Sequence, residues 1–266
     1  MGRKNPPAEQ ILEQIRKSLK ELHLKAMLEG LEENIAAGPE EDDTRYHLLW
    51  RLVERESRQR RERAVQRRIK EARFPAYKTL DDFDFKFQTG LKQERVLEFA
   101  TLDFVRRGRN LLIAGMSGTG KSHIAISLGY LACAAQHRVL YTTSAAMLSA
   151  LYATLASHEL PRALRPYIAC DLLIIDEVGL DRVERVHVQD AQLFYKVISP
   201  RYETSKSTII TSNIPWESWG KHFGDDIATV PILDRLVHHG LTLTIDGPSY
   251  RAAEHQRLNT TKPVGH

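Results

Sequence analysis

Hydrophobic positions in the first quarter of the chain repeat every three or four residues. This spacing holds from Ile11 to about Arg73 and is typical of helices with one apolar face. Gly38-Pro39 is expected to end the first helical stretch, and Phe74-Pro75 the second. The apolar residues near one face of the first stretch are Ile11, Ile15, Leu19, Leu22 and Leu24.

From about Thr79 the pattern changes to short β-branched runs separated by helix-length segments. This alternation predicts βαβ units, and therefore a mainly parallel sheet with helices on both faces. We expect a small all-helical N-terminal domain over 1–75, an α/β domain over 76–258 and a flexible tail over 259–266. The five predicted strands are "NLLIAG", "RVLYTT", "DLLIIDE", "STIITSN" and "LTLTID".

Composition adds few constraints to this picture. The 266 residues carry a formal net charge of +4, a mild excess that permits a polyanionic partner without requiring one. The two cysteines, Cys133 and Cys170, lack metal-ligand spacing and are expected to be buried thiols in a reducing compartment. No apolar run has the length of a membrane span, and the N-terminus is not typical of a signal peptide, so we expect a cytoplasmic protein.

The second helical stretch, "YHLLWRLVERESRQRRERAVQRRIKEAR", begins apolar and becomes rich in arginine. It has two interpretations that the residues alone do not separate. Interleaved glutamates favour a solvated helix with ion pairs four residues apart. Guanidinium groups, which match phosphate geometry, equally favour a face that binds nucleic acid. The candidate DNA contacts on this helix are Arg58, Arg61, Arg67 and Arg68.

The first predicted strand runs into a glycine-rich turn, "GMSGTGKS", followed by an apolar helical stretch. Glycines let successive backbone N–H groups point into one concavity, and a helix N-terminus adds positive potential there. Lys121 can reach the β- and γ-phosphates of a nucleotide, and the Ser122 hydroxyl can bind Mg²⁺. The pattern therefore predicts a P-loop. Its candidate nucleotide-binding residues are Gly115, Met116, Ser117, Gly118, Thr119, Gly120, Lys121, Ser122 and His123.

Polar residues at the ends of two further strands suggest hydrolysis. Asp176 and Glu177 end a buried strand, where unpaired carboxylates are costly unless a cation and a water accompany them. We expect Asp176 to hold Mg²⁺ and Glu177 to polarise the attacking water. Asn213, at the end of "STIITSN", can orient that water, although an ordinary strand-end cap is the alternative. A kinase of small substrates needs no water-activating glutamate, so an ATPase is favoured.

With these three motifs in this order, the chain resembles the AAA+ ATPases, and more narrowly the IstB/DnaC-like branch. That branch includes bacterial helicase loaders and the ATPase subunits of two-gene insertion sequences. The segments that carry the resemblance to the transposition (IstB) members are "FDFKF", "GMSGTGKSHIAISLG", "DLLIIDEVG", "RYETSKSTIITSN", "WGKHFGDD", "ILDRLVHHG", "GPSYR" and the arginine-rich helix. The resemblance covers nearly the whole chain, and the helix shifts the expectation for its arginines toward DNA or transposase contact.

The resemblance implies roles for further arginines. Arg235 matches the arginine finger, which reaches the ATP of a neighbouring subunit, with Arg201 as a rival. Arg251 matches the sensor arginine that contacts the phosphates of its own subunit. Only about twenty residues follow Asp246, so the helical lid of general AAA+ proteins is expected to be missing. Arg162 and Arg165 lie where related initiators carry a DNA-facing element, although solvated surface charge is the alternative.

These implications predict a P-loop AAA+ ATPase that assists transposition. It would form an ATP-dependent homo-oligomer on double-stranded DNA and deliver that DNA to a cognate IstA-type transposase, with ATP and Mg²⁺ as cofactors. The alternatives are a replicative helicase loader of the DnaC type, a P-loop kinase of a small substrate, and a scaffold that binds ATP but scarcely hydrolyses it. Phe83, Phe85 and Phe87 would either flank the adenine or form an alternating edge strand.

Overall fold

A computed structural model of the chain describes residues 6–37, 45–179, 189–238 and 240–260. It divides into two compact units, Met1–Arg67 and Arg68–His266, and the division falls within the longest helix. The predicted helix end at Gly38-Pro39 and residues 261–266 of the predicted tail lie outside the described residues. Within the described ranges, no helix combines the length and apolar character needed to cross a membrane.

The first unit is helical, with α1 over Ala8–Glu21, α2 over Lys25–Ala37 and α3 beginning at Arg45 and ending at Ala72. Its small core joins one leucine from each helix, namely Leu19, Leu31 and Leu52. This confirms a helical N-terminal segment. The buried Glu56 of α3 accepts the backbone N–H groups of Ala26 and Met27 at 3.0 and 3.2 Å. It thereby satisfies donors that the first turn of a helix leaves unpaired.

The single long helix expected before residue 38 is wrong, because the chain breaks between α1 and α2. His23 adopts a left-handed backbone with φ of 57° there, which a helix does not accommodate. The predicted apolar face is consequently not continuous. Leu19 is buried, whereas Ile11, Ile15 and Leu22 are exposed.

The second unit contains a five-stranded sheet in which every described pair of neighbours is parallel, in the order β2-β3-β4-β1-β5. All five predicted strands are confirmed, and with them the α/β class. The strands are β1 Asn110–Gly115, β2 Val139–Thr143, β3 Leu172–Val178, β4 Ser207–Ser212 and β5 Gly240–Ile245. Because the strands are parallel, their carboxyl ends meet at one edge, which is where the candidate site lies.

Alternation along the strands builds a core on both faces of the sheet. In β1, Leu111 and Ile113 belong to one buried cluster and Leu112 belongs to the other, as a period of two requires. Helices cover both clusters. The described helices of this unit after α3 are α4 Gln93–Ala100, α5 Asp103–Arg106, α6 Lys121–Ala134, α7 Ser144–Tyr152, α8 Leu160–Ala169, α9 Asp190–Glu203, α10 Trp219–Phe223, α11 Asp226–His238 and α12 Tyr250–Thr260.

Two local segments lie near the site, one after β5 and one around Phe83. After β5, the described residues form the single helix α12. The segment around Phe83, Phe85 and Phe87 is a series of turns, so the alternative of an edge strand is wrong. Of the three rings, the buried Phe83 reaches the cavity beside α6, while Phe87 packs edge-on against Tyr250 at 5.4 Å.

Candidate functional site

The turn between β1 and α6 adopts the conformation that its glycines permit. Gly118 and Gly120 have φ of 81° and 98°, the left-handed region that disfavours side chains. A Cβ atom at Gly120 would lie 2.5 Å from Cε2 of Phe83. The tip of the turn is tied by Thr119, whose hydroxyl donates to the Met116 carbonyl at 2.9 Å. The sequence therefore builds a tight loop directly before the N-terminus of α6.

Lys121, the first residue of α6, is the buried cation of this loop. Its Nζ donates to the Met116 carbonyl at 2.7 Å. Burial lowers the pKa of Lys121, and the Asp176 carboxylate partly opposes that effect. A desolvated ammonium at a helix N-terminus that faces a cavity is suited to bind an anion, and a polyphosphate fits it.

A cavity of roughly 800 Å³ lies over this loop at the carboxyl edge of the sheet. It brings together most of the residues that the sequence singled out, but neither Gly115 nor Met116 lines it. Arg235 and Arg201 are also absent from the described lining. The predicted site residues that do line the cavity are Ser117, Gly118, Thr119, Gly120, Lys121, Ser122, His123, Asp176, Glu177, Asn213 and Arg251.

Asp176 is 1% exposed and receives hydrogen bonds from three hydroxyl groups. Ser122 donates to Oδ1 at 2.9 Å, Tyr141 donates to Oδ2 at 2.6 Å, and Thr211 donates to Oδ1. Because the Ser122 hydrogen points at Asp176, the oxygen of Ser122 keeps its lone pairs for a cation. The described residues hold no cluster of three or more His, Cys, Asp or Glu that could bind a metal alone. Ser122 and Asp176 fit Mg²⁺ that arrives with phosphates, which needs few protein ligands.

Glu177, the residue after Asp176, has a strained backbone conformation. Its φ is 63°, and the pairing of β3 with β4 shifts register between Ile175 and Val178. Its N–H donates to Thr211 Oγ1 at 2.9 Å. Non-glycine residues held in this region cost about 1–3 kcal/mol and concentrate at functional sites. Glu177 lines the cavity.

Asn213 and Arg251 complete the phosphate end of the cavity. The Asn213 Oδ1 atom is buried with no hydrogen-bond partner among the described residues, so it is available to a ligand or a water. Arg251 lies in the first turn of α12, which the Tyr250 N–H ties to the Gly118 carbonyl at 2.9 Å. Its charge contributes to lowering the pKa of Lys121, although burial of the lysine contributes more.

Beside the phosphate loop, His123 and Phe83 form a small aromatic wall of the cavity. Their rings meet edge-on with centroids 5.3 Å apart. His123 Nε2 lies 2.7 Å from the Thr79 carbonyl, and because a carbonyl only accepts, Nε2 carries the hydrogen. Burial lowers the pKa of His123, which favours the neutral ring. An apolar, neutral wall suits a nucleobase.

Comparison with known proteins decides the family. The sequence profile of the family described as IstB-like ATP binding protein matches residues 17–258. The chain belongs to this family. One relative, an IS21 ATP-binding protein of Pseudomonas aeruginosa, is 39% identical over 92% of this chain and 90% of its own. Another, the IS5376 ATP-binding protein of Geobacillus stearothermophilus, is 33% identical over 94% and 98%.

Solved structures confirm the fold of this IstB-like protein. A DNA replication initiation factor matches with a TM-score of 0.53 at 21% identity, over 70% of this chain and 55% of that one. The protein titled DnaI matches with a TM-score of 0.51 at 19% identity, over 65% and 89%. The P-loop AAA+ core is therefore confirmed. The family and this fold together identify the chain as an ATP-binding AAA+ ATPase.

The two rival finger arginines of this ATPase have different environments. Arg201 is 1% exposed, and its guanidinium donates to the carbonyls of Tyr167 and Cys170 at 2.7 and 2.9 Å, and to that of Ser207. A side chain enclosed in this way does not reach another subunit. Arg201 is therefore a structural residue.

Arg235 is half-buried near the end of α11, on the faces of Tyr195 and Tyr202 at 4.9 and 5.9 Å. Asn110 Nδ2, at the start of β1, donates to the Arg235 carbonyl. The P-loop begins at the opposite end of β1, so Arg235 stands away from the phosphate end of its own cavity. This placement suits a residue that serves a different chain.

The six candidate DNA contacts of the IstB-like protein lie on two helices. On α3, Arg58 pairs with Glu62 at 3.0 Å and Arg61 with Glu54 at 2.6 Å, while Arg67 is exposed and Arg68 is half-buried. Ion pairs at exposed positions contribute at most about 1 kcal/mol, so phosphates can compete for these arginines.

Arg162 and Arg165 lie on α8 and are exposed. The other face of α8, through Ala163, Leu164 and Tyr167, packs on the core beside β3. Both guanidinium groups are thereby directed outward, on a helix between β2 and β3 as predicted. Their role in DNA binding stays a prediction.

The structure adds residues to the site that the sequence did not predict. Tyr141 and Thr211 bind Asp176, and Gln88 lines the cavity near Pro248, whose carbonyl accepts its Nε2 at 2.8 Å. For Thr211, the signal was its place near the end of β4, two residues before Asn213. For Tyr141, only the adjacency of β2 and β3 in the folded sheet identifies it.

Proposed function

We propose that this ATPase assists transposition by forming an ATP-dependent oligomer on target DNA and by delivering that DNA to, or stimulating, a partner transposase of the IstA type. The similar proteins of Pseudomonas and Geobacillus are named as insertion-sequence ATP-binding proteins, which supports this context. One observation carries the proposal. Lys121, Ser122, Asp176, Glu177, Asn213 and Arg251 line one cavity, whereas Arg235 is not among the described lining residues.

Hydrolysis follows from the placement of the residues that line the cavity. Lys121 and the N–H groups of the P-loop bind the phosphates, and Arg251 adds a second cation at their side. Glu177 accepts the proton of the attacking water as that water adds to the γ-phosphorus. Asn213, whose Oδ1 has no described partner, orients the water.

The proposal assigns Mg²⁺ to Ser122 and Asp176. When bound, the ion neutralises charge on the β- and γ-phosphate oxygens. Ser122 offers its oxygen lone pairs, since its hydrogen is donated to Asp176. Asp176 supplies the compensating negative charge and fixes the direction of the Ser122 hydroxyl.

Arg235 supports the oligomeric part of the proposal. A guanidinium supplied by a second chain stabilises the charge that develops on the transferred phosphoryl group. The hydrolysis rate then depends on the contact between chains, because a solitary chain lacks the group. In the described structure, Arg235 rests on two tyrosines of α9 in a half-buried position from which a neighbouring nucleotide can draw it.

DNA contact is proposed for the outward face of α8 and for the arginines of α3. Such contacts go mainly to phosphates, so they position the duplex without reading its sequence. Because each chain contributes only a few charges, DNA held across several chains of an ATP-dependent oligomer is expected to make DNA binding depend on ATP binding.

The test compares DNA binding by the wild type with two double variants. Fluorescence anisotropy with a labelled duplex measures affinity with and without Mg·ATP. Affinity is expected to require ATP and to fall roughly tenfold or more between 50 and 200 mM salt. Arg162→Ala with Arg165→Ala is expected to weaken binding and to flatten the salt dependence.

The matched control is Arg106→Ala with Arg107→Ala, which removes two exposed arginines that pair with Asp103 beside β1. It is expected to bind DNA as the wild type does. Wild-type DNA affinity that ignores both ATP and salt contradicts the proposal. Capture of a replicative helicase rather than the cognate transposase in paired pull-downs would favour a helicase loader instead.

A further inference from the structure

Tyr141 stands at the end of β2, one strand away from the candidate metal site. Its hydroxyl donates to Asp176 Oδ2 at 2.6 Å. A phenol is protonated at physiological pH, so this hydroxyl is a donor. Its ring packs beside Phe74 with centroids 6.3 Å apart, which fixes the direction of the hydroxyl.

The other carboxylate oxygen of Asp176 is bound from two different elements. Ser122 of α6 and Thr211 of β4 both donate to Oδ1. Asp176 therefore has donors on both oxygens, from three elements that are distant in sequence. Since Asp176 is almost fully buried, Tyr141 is the described hydroxyl that satisfies Oδ2.

We infer that Tyr141 is a positioning residue for Mg²⁺ at Ser122 and Asp176. By holding Oδ2, it keeps Oδ1 turned toward Ser122 and so keeps the Ser122 lone pairs directed at the cation. This inference rests on the proposed metal role of those two residues. It assigns Tyr141 no contact with the nucleotide or with the reacting atoms.

Loss of the hydroxyl has a defined consequence. A buried carboxylate oxygen that loses its donor turns toward another donor, and this rotation weakens the hold on Ser122. Groups that orient metal ligands typically affect metal affinity by about 10–100-fold. The expected effect of Tyr141→Phe is therefore a shift of about tenfold or more in the Mg²⁺ concentration that supports tight nucleotide binding.

The experiment titrates Mg²⁺ into wild type and variants and follows binding of a fluorescent ATP analogue, with EDTA as the metal-free reference. This readout is independent of turnover. Tyr130→Phe is the matched control, because Tyr130 stacks on the same Phe74 at 4.5 Å but donates to no described carboxylate of the site. Tyr141→Phe removes the hydroxyl and keeps the ring, whereas Tyr141→Met removes both, and thermal melting verifies that each variant is folded.

Tyr141→Phe and Tyr141→Met are expected to need more Mg²⁺, with binding in EDTA unchanged, while Tyr130→Phe matches the wild type. If the wild type needs Mg²⁺ and folded Tyr141→Phe has the same requirement, the positioning role is wrong. If wild-type binding is indifferent to Mg²⁺, the proposed metal site fails and takes the inference with it. Equal weakening in EDTA and in Mg²⁺ would make Tyr141 a packing residue and also overturn the inference.

Discussion

Replacing Arg201 by methionine separates a structural arginine from a catalytic one. The guanidinium lies where β3 and β4 begin, and it joins three close backbone carbonyls and one hydroxyl, with the Asp171 carbonyl farther away at 3.5 Å. Its donors reach the carbonyls of Tyr167, Cys170 and Ser207, and its Nε reaches Thr208 Oγ1 at 3.1 Å. Methionine fills much of the same volume but makes none of these bonds.

The size of the effect follows from the carbonyls left without a donor. Each buried, unsatisfied group costs about 1–3 kcal/mol, so three carbonyls cost at least about 3 kcal/mol. Burial disfavours the charge of Arg201 and lowers its pKa. Replacing the arginine removes this cost, which offsets any loss of stability beyond about 3 kcal/mol. We therefore expect the free energy of unfolding to fall by about 3 kcal/mol, which for a unit of this size lowers Tm by about 6–12 °C.

Thermal unfolding followed by circular dichroism measures this change, with Arg235→Met as the control. Arg235 makes one described side-chain hydrogen bond, to the Pro231 carbonyl of its own helix at 3.0 Å, and lies on two tyrosine rings. Its loss is expected to lower the unfolding free energy by about 1 kcal/mol while abolishing turnover. The reasoning is refuted if Arg201→Met melts like the wild type and has lost only its ATPase activity.

Three further substitutions test the site and the core. Gly120→Ala is expected to weaken binding of an ATP analogue severely, because its Cβ meets Phe83 at 2.5 Å in a left-handed backbone. Thr211→Val is expected to lower kcat by about tenfold or more while metal-free ATP binding persists, because it removes the hydroxyl shared by Asp176 and the Glu177 N–H. Burial raises the pKa of Cys133 to about 11 from 9.0, so the unfolded chain ionises first. The unfolding free energy is therefore expected to fall as pH rises from 9.0 to about 11, and to fall less in Cys133→Ala.

Each of these expectations has a contrary outcome. Wild-type nucleotide affinity in Gly120→Ala would show that the loop tolerates a side chain. Unchanged kcat in Thr211→Val would remove the shared hydroxyl from the mechanism. Alkaline denaturation curves that coincide for the wild type and Cys133→Ala would show that the buried thiol does not contribute to the pH dependence.

The strands and the phosphate loop were predictable because their signals are local. Alternating burial in β1 follows from adjacent residues, and the turn before Lys121 follows from glycines whose backbone freedom is intrinsic. The placement of Asp176 and Asn213 in the site was also predictable, because the carboxyl ends of parallel strands meet at one edge of the sheet. The break at His23 was not predictable, because the hydrophobic spacing continues across it.

Other features depend on contacts between distant segments. The resemblance favoured Arg235 as the finger but left Arg201 as a rival, and only the fold shows that Arg201 is enclosed and Arg235 half-exposed. Tyr141 became part of the site because the sheet places β2 beside β3, an order that the sequence does not state. The strain at Glu177 likewise arises from the register shift against β4.

The central claim is that a second chain completes the ATPase site, and mixing two inactive variants tests it most directly. Lys121→Ala lacks the phosphate-binding cation, and Arg235→Ala lacks the finger, so each alone is expected to be inactive in the presence of DNA. In an equal mixture, Arg235 of a Lys121→Ala chain completes the intact cavity of an Arg235→Ala chain. The account predicts recovery of about one quarter of the wild-type rate, the share of correctly paired neighbours. A mixture no more active than the sum of its two components would contradict it.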